Sequence, residues 1–192
     1  MRHLTALIFV ILAAGCSSTP ASHFYTLSPA TGPAGMASNL SVVVGPVTVP
    51  AVVDRPQIVV NTGANQVRFE EFNRWASPLQ NSIPRVVAEN LMTMLGTLRV
   101  TLFTQTLSED ANYRVAIEVQ SFQSVPGELA ALDAVSTVRR TKDGKASTLR
   151  TNVREAVQEK DYAALAAAHS RALARLSQDI ADAVRALDRS GQ

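Results

Sequence analysis

Two stretches of the chain repeat apolar residues at the spacing of an α-helix. The first, residues 77–95, aligns on one side Leu79, Ile83, Val86, Val87, Leu91, Met94 and Leu95. The second, residues 161–187, aligns Tyr162, Leu165, Leu173, Leu176, Ile180, Val184 and Leu187. Apolar residues every three or four positions form one stripe along a helix. The pattern predicts two amphipathic helices, the second of which packs its stripe on a sheet or shares it with another subunit.

Both predicted helices begin at a capping signal. Ser77 starts an S-x-x-Q pattern with proline in the next position, which is typical of a capping box with proline at the first helical residue. Asp161 is a favoured N-cap residue for the second helix. Pro84 lies inside the first helix and removes one backbone hydrogen bond there. We therefore expect that helix to kink or to restart at Ser82.

Alternating and β-branched residues predict strands in most of the remaining chain. The candidate segments are residues 24–27, 40–50, 57–60, 66–70, 98–103, 113–120, 131–140 and 146–157. In the segment 113–120, every second residue is apolar, which places four side chains on one face: Tyr113, Val115, Ile117 and Val119. Pro46 cannot donate to a ladder, so its strand should be an edge strand, carry a bulge at Gly45-Pro46, or end there.

Turn residues predict how these strands connect. Residues 61–65, which include Gly63, join two short strands as a hairpin. The Asp143-Gly144 pair is a strong hairpin signal between the last two strands. Residues 28–38, rich in Pro, Gly and Ala, should form an exposed loop. Together the elements predict an α+β fold, a small and mostly antiparallel sheet packed by two helices.

The first fifteen residues have the pattern of a signal peptide. Arg2 and His3 form a basic start, and residues 4–14 follow without a charge. This run is shorter than the roughly 20 apolar residues that a membrane-spanning helix needs. We expect export followed by cleavage, which divides the chain into a signal peptide at 1–15, a tether at 16–23 and a periplasmic domain at 24–192.

The signal peptide ends in Leu12-Ala13-Ala14-Gly15-Cys16, which resembles the lipobox of bacterial lipoproteins. Cys16 is the only cysteine of the chain and has no partner for an intramolecular disulfide. The pattern therefore predicts that palmitate-type acyl chains are attached to Cys16 and anchor the protein to a membrane. The alternative is a signal peptide cut elsewhere, with Cys16 incidental. Ser17, rather than the Asp associated with inner-membrane retention, favours the outer membrane.

Composition narrows the class of protein. Of the 192 residues, 46% are hydrophobic and 18% are charged, which suits one globular domain behind a tether. The formal net charge of +2 leaves no broad basic face of the kind that binds nucleic acid. Only Arg139, Arg140 and Lys142 cluster, and we expect them at a solvated hairpin end.

Little in the sequence points to catalysis. After cleavage only His23 and His169 remain, and no metal-binding, phosphate-binding or G-x-S-x-G motif is present. His169 falls in line with Leu165 and Leu173, so a packed histidine is expected rather than a general base. We expect no enzyme activity, no metal and no cofactor.

Several motifs occur in a characteristic order along the mature chain. They are Phe24-Tyr25-Thr26-Leu27, Val44-Gly45-Pro46-Val47 with Pro50, Asp54-Arg55-Pro56-Gln57-Ile58-Val59, Arg74-Trp75-Ala76-Ser77-Pro78-Leu79 and Val86-Val87-Ala88-Glu89-Asn90-Leu91. In this order and spacing they resemble the PqiC (YmbA) family of ABC-type transport auxiliary lipoproteins. The likeness extends over nearly all of the mature chain.

The resemblance implies an outer-membrane lipoprotein that serves a lipid transporter together with a periplasm-spanning MCE-family protein. It implies a small α+β domain, no catalysis, and either self-association or docking on the partner. Within the motifs, Arg55, Gln57, Arg74 and Trp75 are the candidate partner contacts, although Trp75 and the proline turns equally suit a structural role. Two other functions stay open: a module that itself accepts lipid cargo, and a lipid-modifying hydrolase using His169.

Overall fold

The computed structural model describes residues 20–103 and 111–190. Cys16, Ser17 and the signal peptide lie outside the described residues. The strands are β1 (His23–Tyr25), β2 (Val42–Thr48), β3 (Gln57–Gly63), β4 (Gln66–Trp75), β5 (Val100–Leu102), β6 (Tyr113–Val125), β7 (Leu129–Arg140) and β8 (Ala146–Ala156). The helices are α1 (Leu79–Leu95) and α2 (Tyr162–Arg189). The α+β class and the two helices are thus confirmed.

The strands form two mixed sheets. One has the order β1-β4-β3 and the other the order β5-β2-β6-β7-β8. The pairs β1–β4, β2–β5 and β2–β6 are parallel, whereas β3–β4, β6–β7 and β7–β8 are antiparallel. One mostly antiparallel sheet was expected; the longest pairings are antiparallel, but the strands divide between two sheets and each also contains parallel pairs. A turn signal in the sequence predicts an antiparallel hairpin, whereas parallel pairs join strands that are distant in the chain and leave no such local signal.

Both helices cover the same face of the five-stranded sheet. Helix α1 packs on β2 and β5, and α2 packs on β6, β7 and β8. Five members of the predicted α2 stripe are buried: Leu165, Leu173, Leu176, Ile180 and Val184. The stripe packs on the sheet, as one of the two interpretations predicted. The alternating face of β6 is buried beneath it, as predicted: Tyr113, Val115, Ile117 and Val119.

A buried polar contact joins the two helices. The side-chain amide of Asn90 in α1 donates to Ser177 Oγ in α2 over 3.1 Å. Its carbonyl oxygen accepts a hydrogen bond from the backbone N–H of Ala30 over 2.8 Å. One side chain therefore fixes α1 against both α2 and the loop that follows β1.

The bulge predicted at Gly45-Pro46 is present. The register of β2 against β6 shifts between Val44 and Val47, and pairing with β5 ends at Val44. A Cβ at Gly45 would lie 2.7 Å from Phe103 Cβ, which only glycine avoids. Strand β2 lies inside its sheet, so the bulge, rather than an edge position, accommodates the proline.

The start of α1 differs from the predicted capping box. Pro78 itself is the N-cap, with ψ at 140°, and Ser77 lies one position too early to cap. The carboxylate of Asp54 accepts from the backbone N–H of Gln80 over 3.1 Å and takes that role. The helix neither restarts at Ser82 nor ends at Pro84, since it continues to Leu95. The Asp161 cap of α2 is confirmed, because its side chain accepts from Ala164 N–H over 2.6 Å.

Both predicted hairpins form, and β3 and β4 are longer than expected. A third hairpin, between β6 and β7, was not predicted. At the end of the β7–β8 hairpin, Arg140 is only 3% exposed and pairs with Asp143 over 2.6 Å. The solvated cluster expected there was wrong for Arg140. Its guanidinium lowers the pKa of Asp143 to about 2.

Candidate functional site

Three of the four predicted contact residues meet on one face of the three-stranded sheet. The register pairs Phe24 of β1 with Arg74 of β4, and Arg74 with Gln57 of β3. Paired residues project from the same face of a sheet. The side chains of Phe24, Arg74 and Gln57 therefore form a row across all three strands.

Phe69 extends this row along β4. It pairs with Val59, two residues beyond Gln57 in β3, and the register shift between Gln57 and Ile58 lets Phe69 and Arg74, five residues apart in β4, project from the same face. The guanidinium carbon of Arg55 sits 3.9 Å from the centre of the Phe69 ring. Such a cation–π contact contributes about 0.5–1 kcal/mol at an exposed site. We call Phe24, Arg55, Gln57, Phe69 and Arg74 the docking face.

The docking face exposes an unusual amount of aromatic surface. Phe24 is 64% exposed and Phe69 is 47% exposed. Arg74 is held beside them by Glu71, whose backbone oxygen accepts from Arg74 Nε over 2.8 Å and whose carboxylate accepts from Nη2 over 2.7 Å. Arg55 Nε is buried and has no hydrogen-bond partner. Aromatic rings and arginines on a rigid sheet have the composition of a protein-binding surface.

The fourth predicted contact, Trp75, lies on the opposite side. It pairs with Tyr25 and is only 5% exposed. Its ring centre is 6.2 Å from those of Phe122 and His169, with edge-on geometry to both. Trp75 therefore joins the small sheet to the core, which is the structural role that the sequence left open.

His169 is fully buried in that core. Its Nε2 and Ser124 Oγ share a hydrogen bond of 2.8 Å, while Nδ1 has no partner. Burial lowers the pKa of His169 to about 3, so the ring is neutral at physiological pH. The packed histidine predicted from its place on the α2 stripe is confirmed. Because the ring has no exposed surface, no substrate reaches the His169–Ser124 pair in this conformation.

The described ranges hold little other chemistry. Among residues 20–103 and 111–190, no group of three or more His, Cys, Asp or Glu side chains is placed to hold a metal ion. Within the same ranges, no helix has the length and apolarity needed to cross a bilayer.

Sequence reasoning missed the two phenylalanines of the docking face. Phe24 was part of a recognised motif and Phe69 of a predicted strand, but neither was a candidate contact. The available signal was an aromatic residue in a strand otherwise rich in polar residues, Gln66–Trp75. Exposure of those rings depends on which face of the small sheet the core covers, and that is a tertiary property.

Comparison with solved structures places the fold among known proteins. Protein XCC0632 from Xanthomonas campestris superposes with a TM-score of 0.71 at 18% identity, over 89% of this chain and 100% of that one. An uncharacterized protein superposes with a TM-score of 0.71 at 19% identity, over 86% of this chain and 99% of that one. At these identities the likeness is one of fold. No curated protein sequence matches the chain.

The sequence also matches a family of known proteins. The match covers residues 25–181, which is most of the chain and includes nearly every strand and helix described above. That family is described as the ABC-type transport auxiliary lipoprotein component. The resemblance drawn from the ordered motifs is thereby confirmed at the level of the family. The chain belongs to the family of ABC-type transport auxiliary lipoprotein components.

Proposed function

We propose that the chain is a non-enzymatic, outer-membrane lipoprotein subunit of an MCE-type intermembrane lipid transport system. In this role it docks the periplasm-spanning MCE component to the outer membrane and supports envelope integrity. Family membership supports a role beside a transporter. The lipobox-like sequence ending at Cys16 supports the anchor, and Ser17 supports the outer membrane.

The docking face is the observation that supports binding of a protein partner. Phe24 and Phe69 leave apolar surface uncovered beside the guanidinium groups of Arg55 and Arg74. Binding energy at protein interfaces concentrates in a few aromatic and arginine side chains. The sheet beneath them holds these groups in place, so little conformational freedom is lost on binding. Gln57 adds a polar group at the β3 end of the row.

Co-purification with an MCE protein from the same organism tests the proposal. Phe24→Ala and Phe69→Ala should each weaken binding by tenfold or more, as expected of interface hot spots. Arg74→Ala should weaken binding, whereas Arg150→Ala serves as its matched control. Arg150 also lies on a strand and pairs with a carboxylate, that of Asp133, over 2.6 Å. Equal binding by all four variants would exclude the docking face.

A second candidate function is a module that itself accepts lipid cargo. An open cleft of about 440 Å³ lies between the loop after β1 and α2, and apolar surface there adjoins Arg175 and the ion pair of Arg171 with Glu155. An acyl chain with an anionic headgroup would suit this combination. Native mass spectrometry of the protein tests it: bound phospholipid that is lost in Arg175→Ala would favour cargo binding, and an empty protein would exclude it.

A further inference from the structure

Two long apolar side chains protrude beside the C-terminal end of α1. Met36 is 91% exposed and Leu98 is 89% exposed. The backbone at Met36 lies directly on Gly96, two residues before Leu98, since an added Cβ at Gly96 would meet the Met36 carbonyl oxygen. We call Met36, Leu98 and loop residues 34–37 the apolar tip.

The backbone of the apolar tip is firmly held. Gly35 N–H donates to the carbonyl oxygen of Thr93 over 2.8 Å, and Ser38 N–H donates to that of Gly96 over 3.0 Å. The hydroxyl of Ser38 donates to the Leu95 carbonyl oxygen over 2.7 Å. These bonds use the free carbonyl groups at the end of the helix. The tip therefore displays its side chains from a defined position.

The loop of the apolar tip and the groove beneath it carry no charge, and the nearest charged residue in the chain is Arg99, next to Leu98. Residues 24–53 contain no Asp, Glu, Lys, Arg or His, although most of residues 28–37 are exposed. A groove of about 380 Å³ beneath the tip is lined only by uncharged residues: Ala34, Gly35, Ala37, Met92, Thr93, Gly96, Thr97 and Leu98. Protein surfaces in contact with water normally mix charges into such a stretch. An uncharged surface with protruding Met and Leu suits an apolar environment.

We propose that the apolar tip inserts into the surface of the membrane that carries the lipid anchor. The inference rests on the proposed anchor at Cys16. Residues 16–22 precede β1 and reach at most about 25 Å when extended. From Leu27, bonded to Arg85, to Ser38, bonded to Leu95, the loop follows ten residues of α1, or about 15 Å. The reach of the tether exceeds the length that this loop covers along α1, so one bilayer can hold both the anchor and the tip.

A bilayer fits this surface better than a protein partner does. Two apolar side chains bind a membrane only weakly by themselves, but an anchored domain keeps them at a high effective concentration beside it. Arg99, next to Leu98 and exposed, donates one guanidinium N–H to the Asn39 carbonyl oxygen over 3.1 Å, and a guanidinium has further N–H groups to donate to lipid phosphates. Aromatic rings with paired arginines, which protein interfaces favour, lie on the docking face instead.

Site-specific labelling of the full, lipidated chain in vesicles of phosphatidylethanolamine and phosphatidylglycerol tests the inference. Met36→Cys and Leu98→Cys provide single labelling sites, because the only native cysteine is acylated. Thr148→Cys is the control, since β8 is the sheet edge opposite β5. An environment-sensitive fluorophore at positions 36 and 98 should shift to the blue and be quenched by spin-labelled lipid several times more strongly than at 148.

Each outcome decides a different claim. Equal quenching at all three positions would overturn the insertion of the tip while leaving the anchor intact. A change at positions 36 and 98 only when the MCE protein is added would assign the tip to that partner and reject the membrane. Mass spectrometry of the same sample reads the acylation of Cys16, and a free thiol would reject the anchor and, with it, the tethered insertion.

Discussion

His169 and Phe122 stack face to face in the core, with ring centres 3.8 Å apart and planes 9° from parallel. Trp75 meets both rings edge-on, and Ser124 supplies the hydrogen bond to His169. All four side chains are neutral, so nothing in this cluster compensates a charge on the imidazole. The three rings and one hydroxyl join α2, β6 and the small sheet at a single point.

Acid should destabilise the protein through His169. Its folded pKa of about 3 lies below the unfolded value near 6.5, so the unfolded chain takes up the proton first as pH falls. The contribution to stability is intact above pH 6.5 and is lost between 6.5 and 3, by up to about 1.4 kcal/mol per pH unit. Urea unfolding followed by Trp75 fluorescence at pH 7, 5.5 and 4.5 measures this loss.

His169→Gln is the matched variant for that experiment, because Gln can still bond to Ser124 and does not titrate. It should be less stable than the parent at pH 7, owing to the lost stacking, yet show a shallower fall between pH 6.5 and 4.5. Parallel curves for the two proteins would contradict the buried neutral histidine.

Asn90→Ala should cost about 1–3 kcal/mol of unfolding free energy. It removes the bonds to Ser177 and to the Ala30 N–H and leaves that N–H without its partner, while Ser177 Oγ keeps its hydrogen bond to the Leu173 carbonyl oxygen. Asn81→Ala, on the exposed side of the same helix, is the control and should change stability by less than about 0.5 kcal/mol. Chemical denaturation compares the three proteins, and equal midpoints would refute the bridging role.

Gly96→Ala should lower the stability of the protein, whereas Gly32→Ala should not. Gly96 has φ at 62°, and an added methyl group would meet the Met36 backbone, so about 1–3 kcal/mol should be lost. Gly32 has open space around it, so alanine there should be neutral or stabilise by up to about 1 kcal/mol. Thermal unfolding distinguishes them, and a stable Gly96→Ala would disprove the seating of the apolar tip on α1.

Cys16→Ser should release an intact domain into the periplasm. The substitution removes the thiol proposed to accept the lipid, and Cys16 precedes the predicted domain at 24–192, so folding should be unaffected. Membrane fractionation with an outer-membrane marker follows the location, and circular dichroism of the purified variant checks the fold. Retention of the variant in the membrane fraction would show that another feature holds the protein there.

Local signals in the sequence determined the elements themselves. The apolar stripe of α2, its Asp161 cap and the hairpin at Asp143-Gly144 were predictable because each depends on residues close together in the chain. The bulge at Pro46 was predictable for the same reason, since proline lacks the N–H that a ladder needs. The ordered motifs likewise identified the family before any contact was known.

Only the tertiary structure decided how distant segments meet. Two features join residues that are far apart in the chain: the parallel pairing of β2 with β5 and β6, and the capping of α1 by Asp54. The burial of Arg140 depends on the elements packed around it. The four candidate contact residues fall on two faces of the small sheet for a tertiary reason as well. Arg55, Gln57 and Arg74 share a face with two exposed rings, while Trp75, next to Arg74, points into the core, because successive residues of a strand project to opposite faces.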